Sequence, residues 1–224
     1  MTRHAEGVIR FALEHDARVL EPRLHAEIVS TLAAWREVLA RLDLVGRDPA
    51  RYEGLGYGNV SARLGPFGDV GRGRRRFVVS GTQTGGLPAL TLDQVCVVER
   101  YDVARGEVWS AGPVRPSSES LTHAALYDIA PTARVVLHAH APEIWRHARS
   151  LAIPVTREAA ANGTADMALE VQRLYRESTL SGTGILAMAG HEDGVIAFGA
   201  SAEEAGAILV RQLARALTLG RRAP

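Results

Sequence analysis

RVVLHAH, residues 134–140, joins a β-branched apolar run to two histidines separated by one alanine. Strand side chains alternate faces, so a strand through Val135, Val136 and Leu137 turns His138 and His140 the same way. Neutral imidazole is a common metal ligand, and two of them on one rigid strand begin a site that needs one or two more donors. Taken alone, the pair reads equally well as two hydrogen-bonded histidines at a strand end, because so short a spacing recurs by chance. The rest of the chain decides between the two.

Working outward, Pro142 stands where proline is best tolerated and opens a helix over PEIWRHARS. Upstream, RPSSESLTHAALYDIAP (115–131) reads as a helix with a serine N-cap and a stop at Pro131. QVCVVER and EVWSAG form a strand pair around a turn at Ala104–Gly106. GLGYGNVSARL and FVVSG form a hairpin whose long connection carries Arg72, Arg74, Arg75 and Arg76; without stacking aromatics this basic cluster reads as a solvated loop rather than an RNA contact. Apolar residues at helical spacing (Ile28, Leu32, Trp35, Leu39, Leu42) predict a long helix over about 23–44. Thr164 to Arg176 is a further helix, GILAMAGHEDGVIAFG a strand pair around a turn, and Ala202 to Leu219 a closing helix. EGVIRFALEH (6–15) fits an edge strand or a short helix. Strands and helices mix without strict βαβ alternation, which predicts a mixed or antiparallel sheet covered by helices.

Composition narrows the function. At 224 residues and 46% hydrophobic content the chain can build one full core, and one domain over 1–224 is expected, with 1–22 as an N-terminal extension. A formal net charge of +1 supplies no field for nucleic acid or an anionic membrane. No apolar run of spanning length and no signal pattern is present, so the expected location is cytoplasmic. Cys96, inside the apolar QVCVV, reads as a buried, inert thiol. All 26 basic residues are arginine, which removes Schiff-base chemistry on a lysine side chain. If the chain activates carbonyl compounds, a metal must act as the electrophile.

GYGNVS, VVSGTQTGG, RPSSESLTH, VVLHAH and GHEDG, in this order, resemble the class II aldolase/adducin family, from about Trp35 to the C-terminal end of the chain. The resemblance implies an α/β domain of three layers, αβα, with a mixed, largely antiparallel central sheet. It implies His138, His140 and His191 as metal ligands, Glu119 as the acid/base carboxylate, and Asn59, Thr82, Ser117 and Ser118 around the substrate phosphate. The extra residues of SGTQTGG leave Thr84–Gly85 as the alternative to Thr82. The metal is divalent, with zinc the first choice and manganese, iron or cobalt as alternatives. The implied function is a lyase on a small sugar phosphate or related hydroxy-carbonyl compound through a metal-stabilised enediolate. Epimerase, dehydratase or decarboxylase activity, or a non-catalytic adducin-like interaction module, are the alternatives. A homo-oligomer, commonly a tetramer, is also implied.

Bare residue chemistry gives other roles to the same groups. Glu119 reads as a helix N-terminal carboxylate, Ser117 and Ser118 as caps, and His123, one turn beyond Glu119, as either its orienting partner or core packing. His4, His15, His25 and His147 carry no motif and read as surface or structural. Two features depart from the family pattern. GHEDG holds two residues more than the usual HG turn, so either His191 ligates from a longer turn or Asp193 takes part. No tyrosine follows Tyr175, where the family's aldolases use one as a proton donor.

Overall fold

The structure is a computed structural model that describes residues 7–221, so His4 lies outside the described residues. Its centre is β8 (Val135–His140), flanked on one side by β4 (Asn59–Arg63) and on the other by β10 (Gly194–Gly199), both antiparallel to it. Beyond β4 follow β5 (Phe77–Ser80), β6 (Val95–Asp102) and β7 (Glu107–Gly112), each antiparallel to its neighbour. β9 (Ile185–Ala187) closes one edge beside β10. β1 (Ala12–Ala17) closes the other and runs parallel to β7, which makes the eight-stranded sheet mixed. A separate short ribbon pairs β2 (Gly46–Arg47) with β3 (Gly56–Tyr57).

The period of two in the strands sorts their side chains into two cores. On one face Val60, Val78, Leu137, Ala139, Val195 and Ala197 pack with Leu32 and Leu39 of α1 (Pro22–Arg41), Ile144 of α3 (Pro142–Arg146) and Leu209 of α6 (Ala202–Gly220). On the other, Phe77, Val79, Cys96, Val136 and Ile196 pack with Leu121 and Tyr127 of α2 (Ser120–Ile129), Met167 and Val171 of α4 (Ala165–Glu177) and Leu180 of α5 (Leu180–Thr183). The result is three layers, αβα. Each fully buried Leu, Ile or Phe contributes about 1.5–3 kcal/mol, so both faces are held strongly. Because Val136 belongs to the α2 face, His138 and His140 belong to it as well.

Local chemistry sets the helix ends. α1 begins with Pro22 in its first turn and with the Glu21 carboxylate accepting from the Arg23 amide at 3.3 Å. α4 is capped by Thr164 and α6 by Ser201, whose hydroxyls accept from the amides of Met167 and Glu204.

Of its two readings the N-terminal stretch takes the edge strand, over Ala12–Ala17 and parallel to β7. Two expectations need correction. No serine caps α2 from outside a helix spanning the whole SSES segment. The helix starts at Ser120, Glu119 occupies the N-cap position without a side-chain cap bond, and the Ser117 hydroxyl accepts instead from the Glu119 amide at 3.2 Å. Finally, Arg75 is not a solvated loop residue: it is half-buried and donates to the carbonyls of Tyr127 and Val70. Cys96 is buried as expected, and burial pushes its thiol pKa up.

Candidate metal centre and active site

The strand pairings bring the site together from distant parts of the chain. In the β8–β10 register His138 faces Ile196 and His140 faces Gly194, so the turn that precedes β10 stands beside both histidines. That turn holds His191. It is closed by the His191 amide on the Met188 carbonyl at 3.1 Å and the Gly194 amide on the His191 carbonyl at 3.0 Å. Gly194 makes room for the ring: a Cβ there would stand 3.0 Å from His191 Cγ.

The three imidazoles are buried, with ring centroids 4.7–5.1 Å apart in every pairing. One potential ligand atom from each lies within 4.8 Å of the other two. His138 Nδ1 donates to the Val195 carbonyl at 3.2 Å, which fixes the tautomer and turns the Nε2 lone pair toward the other rings. Three neutral imidazoles gathered on adjoining strands fit one divalent cation with open positions for substrate.

Glu119 is fully buried at the start of α2. Its Oε2 accepts from the Thr122 hydroxyl at 2.9 Å, while Oε1 lies 3.8 Å from His191 Nδ1. One oxygen is therefore anchored and the other faces the histidines. Asn59 pairs with His138 across the β4–β8 ladder and lies on the same face. Among the described residues its Oδ1 has no hydrogen-bond partner. Gly58 carries the chain into this position at φ +75°, and a Cβ there would meet Val45 and the His138 carbonyl. Ser117 and Ser118 are buried beside Glu119. Ser117 bonds through its amide to the Ser80 carbonyl, which ties the serine segment to the end of β5.

Other assigned residues have local partners. The Thr82 hydroxyl donates to the Gly7 carbonyl at 2.8 Å, and the Thr84 hydroxyl to the Gly81 carbonyl at 2.7 Å. His123 does not orient the Glu119 carboxylate. Its Nδ1 bonds to Ser61 Oγ at 2.7 Å, Ser61 Oγ bonds in turn to Tyr127 OH at 2.8 Å, and burial pushes the His123 pKa down to about 3. Asp193, left open as a ligand, instead accepts from the Tyr52 hydroxyl at 2.7 Å.

Tyr52 is one of the groups that sequence reasoning missed. Its ring meets His140 edge-on at 4.4 Å between centroids, and Tyr57 stands 5.5 Å from the same imidazole. The Arg51 guanidinium lies 4.9 Å from both phenol rings and donates to Tyr52 OH at 2.7 Å. Burial and the bond to Asp193 push the Tyr52 pKa well above the ordinary phenol value, so this hydroxyl stays protonated. Arg36 was missed too. It is buried on α1 and its Nη2 donates to the carbonyls of Thr84, Gly85 and Leu87, clamping the glycine-rich loop. The available signal was an arginine four residues after Leu32, inside the apolar stripe of α1.

The comparisons with known proteins agree with this fold. The L-fuculose-1-phosphate aldolase of Thermus thermophilus is 19% identical and superposes with a TM-score of 0.62 over 89% of this chain and 99% of its own. YgbL of Klebsiella pneumoniae, described as a putative aldolase/epimerase/decarboxylase, is 19% identical with a TM-score of 0.59 over 92% and 94%. A sugar-phosphate aldolase of Thermotoga maritima is 18% identical with a TM-score of 0.58 over 89% and 98%. At these identities the likeness establishes the fold. No curated protein sequence matches the chain significantly. The family described as Class II Aldolase and Adducin N-terminal domain matches residues 50–216, most of the chain and every histidine and carboxylate of the site, and the chain belongs to that family.

Proposed function

We propose that this protein is a metal-dependent lyase of the class II aldolase type, acting on a small phosphorylated hydroxy-carbonyl compound. The observation that carries the reading is the buried Glu119 carboxylate, one oxygen anchored by Thr122 and the other 3.8 Å from one of three convergent imidazoles. A scaffold that had lost catalysis has no use for a buried carboxylate beside a buried ligand set, since both groups cost desolvation. The adducin-like alternative is therefore disfavoured.

His138, His140 and His191 would hold the cation, which supplies positive charge for the oxyanion that develops on a substrate carbonyl. In aldol cleavage the hydroxyl of the departing fragment gives up its proton as its oxygen becomes a carbonyl, the carbon–carbon bond breaks, and the electron pair of that bond passes toward the substrate's carbonyl oxygen. Glu119 stands where it can carry the proton that the adjoining carbon finally receives, and the Thr122 hydroxyl holds it in one rotamer. Asn59, on the histidine face, and the serines before α2 offer donors for the polar end of the substrate. Tyr52, protonated and set against His140, is a second proton-bearing group at the same centre. It takes the place in the reading that a tyrosine late in the chain leaves open. A homo-oligomer and a zinc ion are part of the same proposal. Among the described residues no helix is long and apolar enough to cross a membrane.

The test is a panel of ketose and aldose phosphates, keto-acid adducts and sugar-acid phosphates, scored for cleavage, epimerisation, dehydration and decarboxylation with metal-loaded protein. Glu119→Gln is expected to retain metal and shape while turnover falls by about a hundredfold or more. A variant that keeps most of the wild-type rate contradicts the role given to Glu119.

A further inference from the structure

At the end of the β4–β8 pair opposite the histidines lies a cleft of about 300 Å³. Asn59 pairs with His138 at one end of this ladder, and Ala62 pairs with Val135 at the other, where the cleft opens. Its wall is largely apolar, with Ile28 and Leu32 from α1 and Val135 from β8, but it also includes Arg63, Phe67 and Arg134.

Arg63 is only 2% exposed, and among the described residues its Nε and Nη2 have no hydrogen-bond partner. These two nitrogens share one edge of the guanidinium and project parallel N–H groups, the fork that matches two oxygens of a carboxylate or phosphate. No carboxylate among the described residues forms an ion pair with Arg63; its charged neighbours are Arg75 and Arg134, of like sign. A buried guanidinium with an unused fork and cationic neighbours is costly in the free protein, and an anion removes that cost. Phe67 stands beside both arginines: its ring centroid is 5.7 Å from Arg63 Cζ and 4.5 Å from Arg134 Cζ, and the residue is half-exposed.

We propose that this cleft binds a small organic anion, whose carboxylate or phosphate monoester group takes the Arg63 fork and whose short apolar body lies on Ile28, Leu32 and Val135. The apolar wall favours an organic acid over inorganic phosphate, and the volume suits a ligand at the small end of the usual range. The site stands apart from the histidine centre and does not depend on the reaction assigned there.

The experiment is calorimetric titration of the full-length, metal-loaded protein with hexanoate and with phenyl phosphate, using hexan-1-ol as the neutral control. At least one anion is expected to saturate at or below about 1 mM, while hexan-1-ol shows no binding in that range. Arg63→Met is expected to weaken the anion about tenfold or more and to raise the thermal midpoint of the free protein, because an uncompensated buried charge has gone. Should Arg63→Met fail to fold, Arg134→Gln carries the test, with an expected loss of about threefold. The proposal is overturned if neither anion saturates by about 10 mM. It is equally overturned if the folded variant binds as tightly as wild type, as binding at the metal centre would give, or if hexan-1-ol binds as well as the anions.

Discussion

The Tyr52 hydroxyl donates to Asp193 Oδ2 at 2.7 Å while the Tyr52 ring packs edge-on against His140. Through this one side chain the turn that bears His191 is coupled to a histidine of β8. Asp193, inside the GHEDG turn, thus has a structural use. Tyr52→Phe keeps the ring and deletes the bond, and Asp193→Asn weakens it from the other side. Each is expected to lower metal affinity by about tenfold, the usual effect of losing a partner that orients ligands. In a double-mutant cycle the two losses should not add. Competition against a chelator of known affinity measures this, and full additivity would separate the two residues.

Gly194→Ala tests the close approach at the His191 ring. The new Cβ would stand 3.0 Å from Cγ and 3.1 Å from Nδ1, so the imidazole must give by a few tenths of an ångström and leave its alignment with the other two rings. Metal affinity should fall, while urea denaturation loses only about 1–3 kcal/mol, the usual cost of overpacking. Unchanged metal affinity would show that His191 is not held where the structure places it.

Glu170 of α4 supports the same turn from behind. Its buried carboxylate accepts from Arg173 and from both the amide and the guanidinium of Arg157. The Thr156 hydroxyl next to Arg157 accepts from the Ala189 amide, two residues before His191. The hydrogen bond from Arg173, together with those from Arg157, pulls the Glu170 pKa down to about 2, against desolvation that pushes it up. A depressed folded-state pKa contributes stability that is complete above the ordinary value of 4.5 and is lost as pH falls through about 2. The size is on the order of 3 kcal/mol. In Glu170→Gln the stability curve should therefore lose part of its acid limb between those values and sit lower at neutral pH. A curve parallel to wild type would rule out this contribution.

Arg36→Met removes the clamp on the carbonyls of Thr84, Gly85 and Leu87. Charge-assisted bonds to buried carbonyls contribute about 1.5–3 kcal/mol each before desolvation is counted, so a net loss of about 2–3 kcal/mol is expected in urea. Proteolytic nicking should appear first between Thr82 and Leu90. Stability equal to wild type would make the clamp incidental.

The central strand and its two histidines were legible because a period of two is written directly in RVVLHAH. The long helix α1 was legible from its apolar spacing, whereas the cap expected for α2 was not the one used. The partners of Glu119 and Asp193 were not. Thr122 is a neighbour in sequence, but nothing local says which oxygen it holds. Tyr52 reaches Asp193 across 141 positions of sequence, a contact created by the β-ladder and not by any pattern near either residue. His123 illustrates the same limit. Its spacing from Glu119 suggested a pair on one helix face, yet the sheet beneath offered Ser61, and a buried imidazole takes the nearest hydroxyl. The parallel pairing of β1 was invisible for a related reason, since edge strands carry little pattern beyond their own alternation.

The most direct measurement of the central claim is X-ray absorption at the zinc edge on zinc-loaded wild-type protein and on His191→Ala. The account predicts three imidazole nitrogens at about 2.1 Å in the wild type, and two with a lower zinc affinity in the variant. Zinc bound without imidazole, or a spectrum and affinity unchanged by His191→Ala, would contradict a metal centre built from His138, His140 and His191.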